Sequence, residues 1–241
     1  MSLGHGASIV RDGLVLHLDA ANPKSYPGSG TTWTDLSGNS NNGTLVNSPT
    51  YNTENAGNFI FDASNDSVSI PHSSIFNFNS VFTVSSWIKV NSFSTSSIYN
   101  VVSKKSSYNN TQPGWSCQYD YRTTGVLQFR NNDGSTLNDN TPTSNVNNTS
   151  FLNQTSLYVN SIWVINGSSI KFYINGQQQG TGTASFTNTD TTQPIYIGKT
   201  ITSSGDSALF SNLSNISIYN RALSAEEVRQ NFEALRGRYG I

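Results

Sequence analysis

The chain has 241 residues, 34% of them apolar and 11% aromatic, which is enough to bury one large core. Charged residues make up only 11% and the formal net charge is -1, so the surface offers no field to attract nucleic acid or anionic lipid. No run of about 18 apolar residues occurs, so no membrane-spanning helix is expected.

Residues 1–12 lack both the basic start and the apolar run of roughly 7–15 residues that a secretory signal needs, so no export signal is expected. A lone cysteine, Cys117, leaves no internal disulfide, whereas a surface dominated by Asn, Ser, Thr and Gly is more usual outside cells. A virion component, folded in a host cytoplasm and released by lysis, reconciles these features. A mature fragment or an ordinary cytoplasmic protein is the competing reading.

Short segments of alternating apolar and polar residues, separated by Gly, Asn, Ser and Pro clusters, predict an all-β sandwich or barrel. Leu14 to Leu18 opens it, with His17 as a packed or edge histidine, followed by Asn58 to Phe61 and Ser67 to Ile70. Phe82 to Val90 is the clearest long strand: Phe82, Val84, Ile88 and Val90 share one face, and Trp87 points to the other with Thr83, Ser85 and Lys89. Further strands are expected at Ile98 to Ser103, Trp115 to Tyr121, Val126 to Arg130 and Ser156 to Ile165. Ser169 to Ile174, Pro194 to Ile197 and Leu213 to Tyr219 complete the set. Asn175-Gly176 predicts a tight primed turn, because both residues tolerate positive φ. Asp133-Gly134 gives a weaker turn signal, and Asn138 to Asn153 reads as a polar surface loop.

One helix is expected from Ser224, which with Glu227 forms a capping box. Val228, Phe232 and Leu235 make one stripe that should pack on the sandwich edge, and Gly237 is placed to end the helix in the left-handed region. No period of about 20–50 residues is present, so the whole chain 1–241 reads as one domain. Its parts are an N-terminal arm (1–12), the β-sandwich (13–222), the closing helix (223–236) and a tail (237–241), with the arm and tail open for docking on a partner.

Retaining glycoside hydrolysis needs two carboxyl groups about 5–5.5 Å apart. The only glutamates are Glu54, in a turn-rich segment, and Glu226, Glu227 and Glu233 in the helix, so none can pair across a sheet face. His5, His17 and His72 are scattered and form no metal-binding pattern, and Cys117, among aromatics, reads as a small buried apolar residue. The chain is therefore not expected to be an enzyme, and no Gly-rich phosphate loop leads into a helix.

Sugars are held by aromatic rings stacked on the pyranose while amides and guanidinium groups bond the hydroxyls. Trp115, Tyr119 and Tyr121 with Gln128, Arg130 and Asn131 form the densest such mixture, and Trp87 is a further candidate. The same aromatics at period two also fit one half of a sandwich core. For calcium, which takes several oxygen ligands, the candidates are Asp35, Asp62 and Asp66; the competing reading is that they cap turns.

Four stretches occur in an order that resembles laminin G-like jelly-roll domains of the concanavalin A-like lectin/glucanase superfamily. They are Trp33 to Leu45, Phe82 to Ile88, Phe172 to Gly176 and Ile218 to Ser224. The resemblance implies a two-sheet antiparallel jelly-roll sandwich with one C-terminal α-helix, calcium at its rim, and recognition of a glycan or polysaccharide. The opening Gly13 to Gly28 and the closing Leu235 to Ile241 look like structural proteins of marine tailed phages. That similarity implies capsid or tail proteins as partners, with a purely structural decoration role, or less readily glycan degradation, as alternatives.

Overall fold

A computed structural model describes residues 7–62, 65–92, 98–105, 113–121, 125–133, 137–140, 155–183, 191–199 and 210–241. Sixteen strands fall among the described residues. In chain order they are β1 (Leu14–Asp19), β2 (Thr32–Trp33), β3 (Gly43–Val46), β4 (Thr50–Asn52), β5 (Asn58–Asp62), β6 (Ser67–Ile70), β7 (Val81–Val90) and β8 (Ile98–Lys105). There follow β9 (Pro113–Asp120), β10 (Val126–Asp133), β11 (Leu137–Asn140), β12 (Val159–Asn166), β13 (Ser169–Ile174), β14 (Gln177–Thr183), β15 (Ile195–Ile197) and β16 (Phe210–Tyr219). The helix α1 (Ala225–Leu235) closes the chain, followed by a 3-10 turn, Arg236–Tyr239. No helix of the described residues is long and apolar enough to cross a membrane.

The strands form two antiparallel eight-stranded sheets. Sheet A runs β14-β13-β12-β7-β16-β5-β4, with β1 also paired to β16. Sheet B runs β11-β10-β9-β8-β15-β6-β3-β2. This is the expected two-sheet, jelly-roll-like sandwich with one C-terminal helix. The short strands β2, β3 and β4 carry too few alternating residues to be seen in advance. Residues 138–140, part of the expected loop, instead belong to β11, which pairs with Phe129 to Asn132 of β10. The rest of that expected loop, and the Gly134 end of the turn signal beside it, lie outside the described residues.

Alternation in the strands divides the side chains between core and outer faces. Phe82, Val84, Ile88 and Val90 of β7 enter the core, as expected, and meet Trp115, Cys117, Tyr119, Leu127 and Phe129 from the opposite sheet. Phe82 lies 4.8 Å from Trp115 and 5.9 Å from Phe129, and Tyr119 lies 6.1 Å from Trp163, ring centre to ring centre. Two hydrogen bonds cross the gap: Trp163 Nε1 donates to Gln128 O at 3.1 Å, and the Tyr119 hydroxyl donates to Ser161 Oγ at 2.9 Å.

The outer face of sheet A carries an apolar patch that is covered by the C-terminal helix and by the residues just before β1. Ser224 Oγ accepts from Glu227 N while Glu227 Oε2 accepts from Ser224 N, so the capping box forms as expected. Arg221 then clamps the Glu227 carboxylate with two N–H donors, which holds its pKa below the usual range. The helix lies across the sheet face rather than on the sandwich edge: Val228 joins Val10, Leu14, Ile162, Val164, Tyr173 and Tyr219. The edge expectation fails because Ile162, Val164 and Tyr173 give sheet A a second apolar face that must itself be buried. Gly237 lies inside the 3-10 turn, and Gly240, at φ 72°, takes the left-handed position instead. Asn175 (φ 50°) and Gly176 (φ 75°) form the expected primed turn between β13 and β14.

Of the segments expected to be docking arms, the described residues 7–12 and the closing turn are bound to the fold itself, and residues 1–6 lie outside the described residues. Val10 N donates to Asn231 Oδ1 at 2.8 Å, and the Tyr219 hydroxyl donates to Val10 O at 3.1 Å. Tyr239 stacks on Trp87 at 4.2 Å, and Arg238 grips Asp19 with two N–H···O bonds of 2.7 and 3.1 Å. Burial by itself would lower the Arg238 pKa, but the bonds to Asp19 hold it above its ordinary value. Arg238→Ala would leave the buried Asp19 carboxylate without its cation. A loss of about 2–3 kcal/mol in urea denaturation is expected, less than for a fully buried pair because Arg238 keeps some solvent contact; an unchanged midpoint would show that the closing turn adds nothing to stability.

Candidate functional site

The aromatic residues expected to bind sugar do not face solvent. Trp115, Tyr119 and Tyr121 are at most 2% exposed and belong to the core between the sheets. The parity of β9 sends Trp115, Cys117 and Tyr119 inward, where Tyr119 is bonded to Ser161, so no pyranose can stack on them in this fold. Burial pushes the Tyr119 hydroxyl far above the ordinary tyrosine range, and the Cys117 thiol well above its own. Trp87 is on the other sheet, with no shared face, and is sandwiched between Phe232 at 5.7 Å and Tyr239 at 4.2 Å. Asn131 pairs with Trp115 in register and is likewise buried.

Gln128 and Arg130 lie on a polar outer face of sheet B, buried and with other companions. Their strand partners are Gln118 and Ser116, and the next strand brings Asn100 opposite Gln118 and Ser103 opposite Ser116. Gln118 Nε2 donates to Gln128 Oε1, and Ser116 Oγ donates to Gln118 Oε1 at 3.1 Å. The outer face of β8, β9 and β10 is thus a ladder of amides and hydroxyls, with Lys105, Asp120 and Arg130 at its margins. All eight of these side chains are 5% exposed or less. The Asn100 amide is fully buried, and neither its N–H donors nor its oxygen has a hydrogen-bond partner. Gln118 and Asn100 escaped the sequence reading, although the alternation Ser116-Gln118-Asp120 between the aromatics was the available signal.

Of the three carboxylates considered for calcium, Asp35 is fully engaged within its own loop. Its Oδ1 accepts from His17 N and Ser37 N, each at 2.9 Å, and its Oδ2 accepts from Ser37 Oγ at 2.7 Å and Asn41 N at 3.0 Å. Four donors leave it organising residues 35–42 rather than holding a cation, the turn-capping alternative. Asp66 Oδ2 accepts from Asp62 N at 3.2 Å, and burial together with the neighbouring Asp62 charge raises the Asp66 pKa. Among the described residues no group of three or more His, Cys, Asp or Glu is gathered as a metal cage.

His17 is buried on the outer face of sheet A, with Nδ1 2.9 Å from Ser217 Oγ. Burial lowers its pKa from 6.5 to about 4; the charges of Asp19 and Asp35 oppose the shift, and Arg11 and Arg238 add to it.

Comparison with known proteins agrees with this architecture. Residues 62–229 match the model of the laminin G-type family of the concanavalin A-like lectin/glucanases superfamily. The binding domain of Paraclostridial Mosquitocidal Protein 1 superposes with a TM-score of 0.67 at 20% identity, over 92% of this chain and 52% of that one. The botulinum neurotoxin serotype D binding domain gives 0.68 at 16% identity, over 93% and 52%. A Trypanosoma rangeli sialidase in complex with sialic acid gives 0.65 at 15% identity, over 100% of this chain and 36% of the sialidase. The chain therefore spans about half the length of the toxin binding domains and about a third of the sialidase, and identities this low establish the fold alone. No curated protein matches the chain in sequence.

A neutral buried histidine makes stability depend on pH. The contribution is full above pH 6.5, falls as the unfolded chain takes up the proton that the folded chain refuses, and is exhausted near pH 4. Wild type is expected to lose about 3 kcal/mol relative to His17→Gln across that window; parallel stability curves for the two proteins would contradict a neutral His17. With the fold, the register and the family match in agreement, the chain belongs to the laminin G-type family of the concanavalin A-like lectin/glucanases superfamily.

Proposed function

We propose that this chain is a non-catalytic, lectin-like recognition module that binds a glycan or polysaccharide through the outer face of sheet B. The observation that carries the reading is the Asn100–Gln118–Gln128 ladder, in which a fully buried amide is left unpartnered. A buried polar group without a partner costs about 1–3 kcal/mol, and a ligand rich in hydroxyls would supply both the donors and the acceptors it lacks. On sheet A the outer face is occupied by the fold itself: its apolar patch packs against α1, and its buried His17 and Asp19 are bonded to Ser217 and Arg238. The binding-domain character of the toxin fragments that share the fold points the same way.

We place the module at a virion surface, as a capsid decoration or tail component facing a host envelope. That placement is supported by the similarity of the opening and closing stretches to phage structural proteins and by a composition with only 11% charged residues. Capsid or tail partners would then dock through surfaces other than residues 8–10 and 238–239, which the fold uses itself.

The test is a glycan array that includes bacterial envelope polysaccharides, run with calcium and with a chelator. Calcium takes six to eight oxygen ligands, of which Asp62 and Asp66 would provide a part. A reproducible hit is expected, weakened at least tenfold by Gln118→Leu combined with Gln128→Leu, with thermal stability measured alongside. Because the ladder is closed to solvent, association should be slow and limited by opening of the face. Loss of the hit both on chelation and in Asp66→Asn would support calcium at Asp62 and Asp66. Silence across the array would turn the reading to decoration without a soluble ligand.

A further inference from the structure

At the opposite edge of sheet B from β10 and β11, a cleft of about 470 Å³ opens to solvent. Its floor is formed by Thr32 of β2 and Thr44 of β3, one wall by Ser40 and Asn42, and the other by His72 and Ser73. These residues come from three separate stretches of the chain, which is why no motif marks the site. No Asp, Glu, Lys or Arg is among its lining residues.

Both walls are fixed before any ligand arrives. The Asp35 carboxylate holds residues 35–42 through its four bonds, and Asn42 Oδ1 accepts from Asp35 N at 2.9 Å. That bond orients the Asn42 amide and leaves its two N–H donors for a ligand. On the other side Ser73 caps the 3-10 turn Ser74–Phe76, whose Phe76 is buried in the core beside Phe78. A rigid site loses little entropy on binding, which matters most for small polar ligands whose gain per contact is slight.

We infer that this cleft is a binding site for a neutral hexopyranose, taking one or two sugar rings. Small-molecule sites measure about 300–1,000 Å³, so the volume fits. Hydroxyls and an amide on three sides match a ligand that presents both donors and acceptors around its rim, whereas an apolar ligand would leave them unpaired. An anionic sugar would find no guanidinium or ammonium group in the lining to offset its desolvation. The inference shares only its ligand class with the function proposed above; the two sites lie on different parts of sheet B.

The test uses the whole chain, isotope-labelled, titrated with methyl β-galactopyranoside and with N-acetylglucosamine while backbone amide signals are followed by NMR. N-acetylneuraminic acid serves as the charged comparator. Neutral sugars are expected to shift Ser40, Asn42, Thr44 and His72, and His72→Ala and Thr44→Val should each weaken binding at least fivefold. Both variants alter exposed side chains, so an unchanged thermal midpoint separates lost binding from lost folding. Shifts confined to Asn100, Gln118 and Gln128 would overturn the cleft while supporting the ladder, and equal binding of the acidic sugar would overturn the neutral class. An array hit with no shift in the cleft for either neutral sugar would overturn this inference alone; no shift anywhere, together with a silent array, would remove both sites.

Discussion

Two hydrogen bonds across the core, Trp163 to the Gln128 carbonyl and Tyr119 to Ser161, tie the sheets together at one relative position. Large aromatic rings can slide over one another at small cost, but a buried indole N–H or phenol without an acceptor cannot, because its desolvation is not repaid. These bonds, together with the contacts of Phe82 with Trp115 and Phe129, decide which residues of β9 and β10 point inward. Everything on the outer face of sheet B follows from that choice, since shifting a strand by one residue exchanges its two faces.

The two outer faces differ in how much apolar surface they carry. Sheet A carries Ile162, Val164, Tyr173 and Tyr219 outward, and the chain covers them with its own helix and with residues just before β1. Sheet B carries Asn100, Ser116, Gln118, Gln128 and Arg130 outward. The first face stabilises the domain by removing apolar surface from water. The second contributes little of that kind, and its polar side chains are costly unless their bonding is completed.

Contacts between distant parts of the chain also determine what the acidic residues do. Asp35 spends its carboxylate on the loop that forms one wall of the open cleft, and Asp19 is held by Arg238 from the closing turn. His17 is enclosed between them and kept neutral by burial. Asp19 is thus committed to joining the closing turn to sheet A, and Asp35 to ordering its own loop. That commitment also explains why the closing segment is not an arm: releasing it would uncover Trp87 and leave Asp19 without its partner.

Local pattern alone was sufficient for the fold class, the longer strands, the Asn175-Gly176 turn and the Ser224–Glu227 cap, because each depends on neighbours within a few residues. The order of motifs was sufficient for the family. The proposed ladder was legible only in part: the sequence singled out Gln128 and Arg130, but the rings grouped with them belong to the core, and Gln118 and Asn100 were overlooked. Period two shows that Trp115 and Tyr119 share a face, and it says the same of Ser116 and Gln118; it does not say which face is inside. Only the tertiary structure made that decision, through the opposing sheet, since burial depends on what the rest of the chain places against a strand.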